Sequence, residues 1–280
     1  MEYYMTDERI TEYLKALENE ERAAATIEKY RRAILSFAAF LSGAAVTPET
    51  IRLWKDELHE RNYAPSTINT FLAALNGFFH FCGWSDCRAR FLKIQHRLFR
   101  DSRQELTRAE YERLVAVAET AGDRGLALLM ETICSTGIRV SEVQYITVEA
   151  AKNGKAEIAL KGKIRTILLP SKLCRKLLKF AARQKTASGA IFRAKSGNAM
   201  SRYQIWSKMK KLCERAGVDA EKVFPHNLRH LFATVFYRAY KDIVKLADVL
   251  GHSSIETTRI YLVTSAAEHR RQLELLQLVS

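Results

Sequence analysis

Three short segments in the second half of the sequence concentrate arginine, histidine and tyrosine. They are Thr136-Gly137-Ile138-Arg139-Val140-Ser141-Glu142, the run from Pro225 to His230, and the run from Leu250 to Tyr261. Breaking a phosphodiester without a metal requires fixed cations, because negative charge builds on the non-bridging oxygens. Arginine suits this task because it stays charged and its planar fork binds two oxygens. The three segments therefore indicate phosphate chemistry.

Local spacing predicts how the first two segments present their side chains. Gly137 and Gly251 are each expected to end a helix. The first of these ends leaves Arg139 at the head of the next element, with Glu142 on the same face. A purely structural Arg–Glu pair is the alternative. Pro225 fits a helix entrance, and His226 and Arg229 then share one face, which joins a proton-transfer group to a phosphate clamp.

Two histidines of the second segment, His226 and His230, also have the spacing of zinc ligands on a helix. The zinc-protease pattern places a glutamate directly after the first histidine, whereas this chain has Asn227. We therefore expect no metal, and expect His230 to lie in the core. In the third segment, Ser253 and Glu256 predict a helix that begins just after His252.

The elements that position these segments are predicted to be mainly helical, in two domains. Residues 1–95 show helical periodicity and predict a helical bundle. Residues 96–106 are expected to form a basic linker, and residues 107–280 a catalytic domain with a tail helix over 266–280. Two short apolar runs around Lys161-Gly162-Lys163 predict a β-hairpin, in a small sheet of two or three strands.

Composition restricts the partners of the chain. The 280 residues hold 45 Lys+Arg against 31 Asp+Glu, a formal net charge of +14, which predicts a polyanionic partner. No apolar run reaches the ~18 residues of a membrane span, and the first residues lack a secretory pattern. Five cysteines without Cys-x-x-Cys spacing favour buried thiols in a reducing cytosol over a zinc ribbon or disulfides. A cytoplasmic, nucleoid-associated protein is therefore expected.

Taken together, the order and spacing of these motifs resemble the tyrosine recombinase (phage integrase) family. The resemblance covers residues 105–265 and rests on Thr136–Glu142, the hairpin lysines, His226-Asn227-Leu228-Arg229-His230, Leu250-Gly251-His252 and Tyr261. Residues 8–95 resemble the helical core-binding domain of that family more loosely. The chain looks like its compact two-domain members, Xer recombinases and mobile-element integrases.

The resemblance implies a role for each site residue. Tyr261 would attack the scissile phosphate and form a 3′-phosphotyrosyl link, with His226 as proton acceptor or hydrogen-bond organiser. Arg139 and Arg229 would clamp the non-bridging oxygens, His252 would donate a further hydrogen bond, and Glu142 would support the site. A hairpin lysine would protonate the 5′-oxygen. In this hairpin the family usually has the sequence Gly-Lys-Gly-x-Lys, and the corresponding segment of this chain is one residue shorter. The pairing of a lysine with the following glycine favours Lys161, and Lys163 remains the alternative.

The resemblance also implies partners. We expect double-stranded DNA with inverted-repeat core sites, no metal or nucleotide cofactor, and a tetramer on DNA assembled through the C-terminal segment. A partner recombinase or DNA-bending protein is compatible with this scheme. The expected DNA-binding residues are Arg97, Arg100, Arg103, Lys163 and Arg165. Two alternatives are a catalytically silent DNA-binding protein of the same fold and a type IB topoisomerase.

Overall fold

A computed structural model describes residues 2–94, 104–160, 163–194, 196–261, 270–271 and 274–276. The chain divides into two compact units, 1–96 and 97–280. Each unit has its own apolar core. No helix of the described residues is long and apolar enough to cross a membrane.

The first unit is a bundle of four helices that buries aromatic side chains. Proline or a threonine cap marks three of its helix starts. Thr6 caps the first helix, Thr47 forms a capping box before Pro48, and Pro65 occupies the first turn of the last helix. Its core includes Phe37, Trp54 and Phe78, each at most 1% exposed. The helices are α1 (Asp7–Asn19), α2 (Ala24–Leu41), α3 (Pro48–Glu60) and α4 (Pro65–Phe81).

The second unit packs helices around α6, which is buried along most of its length. The helix before α6, α5 (Arg108–Thr120), begins at a capping box formed by Thr107 and Glu110. The helices of this unit are α5 (Arg108–Thr120), α6 (Arg124–Thr136), α7 (Val148–Asn153), α8 (Ser171–Arg183), α9 (Arg202–Lys210), α10 (Cys213–Ala216), α11 (Pro225–Tyr240), α12 (Ile243–Leu250) and α13 (Ile255–Arg259). A 3₁₀ turn, Val140–Tyr145, lies between α6 and α7.

The predicted hairpin is present as strands β1 (Lys155–Leu160) and β2 (Lys163–Leu168), which pair antiparallel. Within the described ranges these two strands form the whole sheet, so the third strand of the wider prediction is not seen there. Residues alternate between faces along β2: Ile164 and Leu168 are exposed, whereas Ile167 is buried against the core. Arg165 shares the inward face with Ile167.

Two predicted ends of helices in the second unit are confirmed. Gly137 ends α6 and Gly251 ends α12, both in the left-handed conformation that favours glycine. A Cβ at Gly137 would lie 2.5 Å from the Phe232 ring, so space as well as backbone geometry requires glycine there. The start of α13 is one residue later than predicted, because Ser254 rather than Ser253 caps it.

Candidate active site

Arg139 and Glu142 form the pair that their spacing predicted, and the 3₁₀ turn explains why. Arg139 precedes the turn, so its backbone N–H is free to donate to Glu142 Oε2 at 2.7 Å. Its guanidinium also donates to Glu142 Oε1 at 2.9 Å. Glu142 is 2% exposed, whereas the Arg139 side chain is 41% exposed. A buried carboxylate therefore anchors an arginine whose side chain stays partly exposed.

Arg165 joins this pair from the hairpin. One of its terminal nitrogens, Nη1, lies 3.2 Å from both Glu142 oxygens. Burial lowers the pKa of Arg165, and Glu142 opposes that shift. Arg165 was predicted to bind DNA, but the structure places its guanidinium inward on Glu142. The alternation of β2 was the signal that pointed to this placement.

Arg229 is the most deeply buried cation of the site, at 2% exposed. It extends from the first turns of α11 and donates from Nη1 to the Gly137 carbonyl at 2.5 Å. Its other terminal nitrogen, Nη2, lies 2.9 Å from His252 Nε2. Burial and the neighbouring Arg139 lower the pKa of Arg229 to about 10, so it remains charged at neutral pH.

The three arginines meet at the C-terminal end of α12. Arg165 donates to the carbonyl of Val249 at 2.6 Å, Arg229 to that of Leu250 at 2.8 Å, and Arg139 to that of Gly251 at 3.2 Å. The last carbonyls of a helix lack partners within it and form the negative end of its dipole. One helix end thus supplies three successive acceptors to three cations.

Tyr261 follows α13 and packs beneath this cluster. It is 5% exposed and joins Ala233, Leu246 and Leu250 in a small apolar cluster. Its ring centroid lies 5.9 Å from that of His252, with nearly parallel planes, and 4.9 Å from that of His230. His230 is 4% exposed, as expected for a core residue.

His226 lies on the exposed side of α11, where it lines a cleft of about 740 Å³ together with Arg139 and Arg229. Helix α9 completes the cleft with Tyr203 and Trp206, both exposed aromatic side chains that the sequence analysis did not single out. Lys161 lies outside the described residues, as do Arg97, Arg100 and Arg103. The side chain of Lys163 is likewise not described.

Comparison with known proteins assigns the family. The phage integrase family matches residues 104–268, and the N-terminal SAM-like domain of phage integrases matches residues 10–85. The chain belongs to the phage integrase family. Its fold and its class, tyrosine-type site-specific recombinases, are therefore those predicted from the sequence.

Relatives in this family align with the chain over almost its whole length. It is 29% identical to tyrosine recombinase XerA of Pyrococcus furiosus, covering 96% of this chain and 94% of the relative. It is 30% identical to tyrosine recombinase XerD of Brucella suis biovar 1, covering 90% and 91%.

Solved structures show the same fold at lower identity. A lambda integrase dimer bound to a COC′ core site has a TM-score of 0.74 at 17% identity, covering 92% of this chain and 77% of that chain. XerH site-specific recombinase bound to difH substrate has a TM-score of 0.69 at 20% identity, covering 95% and 84%.

Proposed function

We propose that this recombinase cleaves and rejoins double-stranded DNA through a 3′-phosphotyrosyl link on Tyr261. The observation that carries the proposal is the cluster around His252, which lies 2.9 Å from Arg229 Nη2 and stacks on the Tyr261 ring, while Arg139 and Arg229 line the same cleft. A nucleophile, a hydrogen-bonding imidazole and two phosphate clamps thereby occupy one place.

Charge in the site favours a phosphodiester. Three guanidinium groups, those of Arg139, Arg165 and Arg229, meet at the end of α12, and one buried carboxylate, that of Glu142, binds two of them. The excess positive charge matches one phosphate group and the further negative charge that develops as the nucleophile adds. Glu142 and the carbonyls of α12 hold the arginines before substrate arrives, so little reorganisation is needed during the reaction.

The steps follow from this placement. The Tyr261 oxygen attacks phosphorus and the bond to the 5′-oxygen breaks, while Arg139, Arg229 and His252 hold the non-bridging oxygens. His226 takes the tyrosine proton or organises the hydrogen bonds. A hairpin lysine, Lys161 in preference to Lys163, gives its proton to the 5′-oxygen. Rejoining is the reverse attack by a 5′-hydroxyl, and no outside energy source is required.

Covalent capture tests the nucleophile. The protein is incubated in EDTA with sheared genomic DNA of its source, the reaction is stopped with SDS, and the ends of protein-linked DNA are sequenced. We expect linked ends clustered at an inverted-repeat site. Tyr261→Phe keeps the buried ring and should form no link, whereas the control Tyr4→Phe, at an exposed position of the first unit, should behave as wild type.

Each other outcome identifies an alternative. A covalent link in Tyr261→Phe would show that another residue is the nucleophile. Scattered ends would favour a type IB topoisomerase. Salt-dependent DNA binding without any covalent product would favour a catalytically silent DNA-binding protein of the same fold.

We also propose that the basic linker contacts the DNA backbone through Arg97, Arg100 and Arg103. Seven basic residues against two acidic ones between 88 and 108 support this. Replacing the three arginines with glutamine should reduce the steepness of the log–log salt dependence of binding by about 2.7, since each neutralised phosphate contributes about 0.9. An unchanged slope would exclude the linker from the interface. A DNA substrate of this kind places the enzyme in the cytoplasm.

Assembly is the third part of the proposal. We infer that residues 266–280 dock on a neighbouring copy to form a tetramer on two DNA sites. A largely apolar groove of about 590 Å³ between α5, α6, α8 and α11, with Val235 and Tyr240 exposed along it, supports this. Leu273, Leu276 and Val279 recur at helical spacing in the tail. A variant that ends at Val263 should bind a single site normally and form no tetramer in crosslinking on DNA; intact assembly would refute the docking.

A further inference from the structure

A buried threonine, Thr258, lies against the imidazole of His252. Thr258 is on α13, three residues before Tyr261, and is fully buried. Its Oγ1 lies 2.9 Å from His252 Nδ1. The resemblance to recombinases assigned no role to Thr258, and the mechanism above does not use it.

The partners of His252 determine where its ring proton lies in the free enzyme. A guanidinium group has only donors, so the contact of 2.9 Å with Arg229 Nη2 makes His252 Nε2 an acceptor. The ring is then neutral with its proton on Nδ1, and that N–H donates to Thr258 Oγ1. Burial together with Arg229 and Arg139 lowers the pKa of His252 to about 4, which agrees with a neutral ring.

The reaction requires the opposite arrangement. If His252 is to donate to a phosphate oxygen from Nε2, that nitrogen must carry the proton and Nδ1 must become an acceptor. A hydroxyl both donates and accepts, so Thr258 can rotate its O–H toward Nδ1 and satisfy the second tautomer as well as the first. A residue that only donates or only accepts would favour one tautomer and oppose the other.

We propose that Thr258 is a positioning residue that supports both tautomers of His252, so that the imidazole changes from acceptor of Arg229 to donor to the phosphate when DNA binds. The inference rests on the proposed function. The ring loses the proton at Nδ1 and gains one at Nε2, so its proton count is unchanged. The same change releases the Arg229 N–H that pointed at Nε2, and both donors become available to the phosphate together.

Several groups surround the ring and set its charge. Arg229 and His226 approach from α11, Arg139 from the 3₁₀ turn and Arg165 from β2. All are cationic or become so at low pH, and all oppose a doubly protonated imidazole. The neutral exchange between tautomers is therefore the route that the electrostatics favour over protonation.

Single-turnover cleavage distinguishes the proposal from a packing role. The probe is a duplex with the site that covalent capture identifies, and the matched variants are Thr258→Val, which keeps the shape, and Thr258→Ser, which keeps the hydroxyl. In Thr258→Val no hydroxyl holds the imidazole of His252 toward the phosphate, so we expect cleavage about ten-fold slower with DNA affinity unchanged. Thr258→Ser keeps the hydroxyl and should cleave within about two-fold of wild type. Equal rates in all three proteins would overturn the role of Thr258.

Nitrogen-15 spectra of the histidine ring test the tautomers directly. In Tyr261→Phe, which binds without cleaving, we expect the Nδ1–H form in free protein and the Nε2–H form with the duplex. The same tautomer in both states, or a doubly protonated ring with DNA, would overturn the proposal. Its failure is distinct from failure of the proposed function, which would show as no covalent product from the wild type.

Discussion

Replacing Glu142 with glutamine tests whether one buried carboxylate holds two arginines of the site. Its oxygens accept from the Arg139 backbone at 2.7 Å, from the Arg139 side chain at 2.9 Å, and from Arg165 at 3.2 Å. Glutamine has nearly the same shape but keeps one acceptor, and its amide group turns a donor toward the guanidinium groups. The change therefore leaves buried positive charge without its counter-charge.

The magnitude follows from burial. Removing one partner of a buried ion pair costs about 3–5 kcal/mol. The Arg139 side chain is 41% exposed and recovers hydration, whereas that of Arg165 is 14% exposed and does not. We therefore expect the lower end, about 3 kcal/mol of unfolding free energy. For a domain of this size that corresponds to a fall of roughly 6–12 °C in melting temperature.

Differential scanning calorimetry measures this change, with Glu28→Gln as the matched control. Glu28 also binds two arginines, Arg31 at 3.2 Å and Arg32 at 2.7 Å, but it lies on the surface of α2 with 42% of its side chain exposed. Exposed pairs contribute little, so Glu28→Gln should leave the melting temperature nearly unchanged. A melting temperature for Glu142→Gln within about 2 °C of the control would refute the anchoring role.

Three further predictions concern Gly251, His252 and Arg139. A Cβ at Gly251 would lie 2.4 Å from the Arg165 side chain, whereas one at Gly154, also left-handed, would meet nothing within 4 Å. Measured by urea unfolding, Gly154→Ala should therefore reduce the free energy of unfolding by ~1 kcal/mol, and Gly251→Ala should reduce it clearly more. Equal losses in the two variants would exclude the clash. Because the pKa of His252 is about 4 when folded and 6.5 when unfolded, the unfolded state takes the proton first. The free energy of unfolding should therefore fall as the pH drops from about 6.5 to about 4. His252→Gln should make the unfolding free energy, measured in urea at pH 7 and at pH 5, differ less between the two; an unchanged pH dependence would contradict the shift. Arg139→Ala should slow covalent capture by about 10²–10³-fold with normal DNA binding in gel shifts; parallel losses of both would contradict its role in the transition state.

Local signals in the sequence predicted much of the second unit. Glycine is needed where a helix ends in the left-handed conformation, so Gly137 and Gly251 were placed correctly. Spacing alone brought Arg139 to Glu142, because residues three apart share a face. The hairpin followed from two short apolar runs with Lys161-Gly162 between them.

Contacts between distant segments could not be predicted in the same way. The contacts of Arg165 with Glu142 and with the Val249 carbonyl join segments far apart in the sequence, and only its position on the same face of β2 as Ile167 indicates that it points inward. Nothing in the sequence around Thr258 indicates a histidine partner, since threonine occurs equally well on exposed helix faces. The carbonyls of α12 carry no sequence signal at all, because every residue has one.

The end of α12 gives the site a mechanical property. Val249, Leu250 and Gly251 each hold one arginine, and His252 follows directly, so these four anchor points belong to one short rigid body. A shift of that helix would carry all of them in the same direction at the same moment. Displacement of α12 would therefore disturb all three guanidinium contacts together, and Arg139, Arg165 and Arg229 would lose their alignment at the same time.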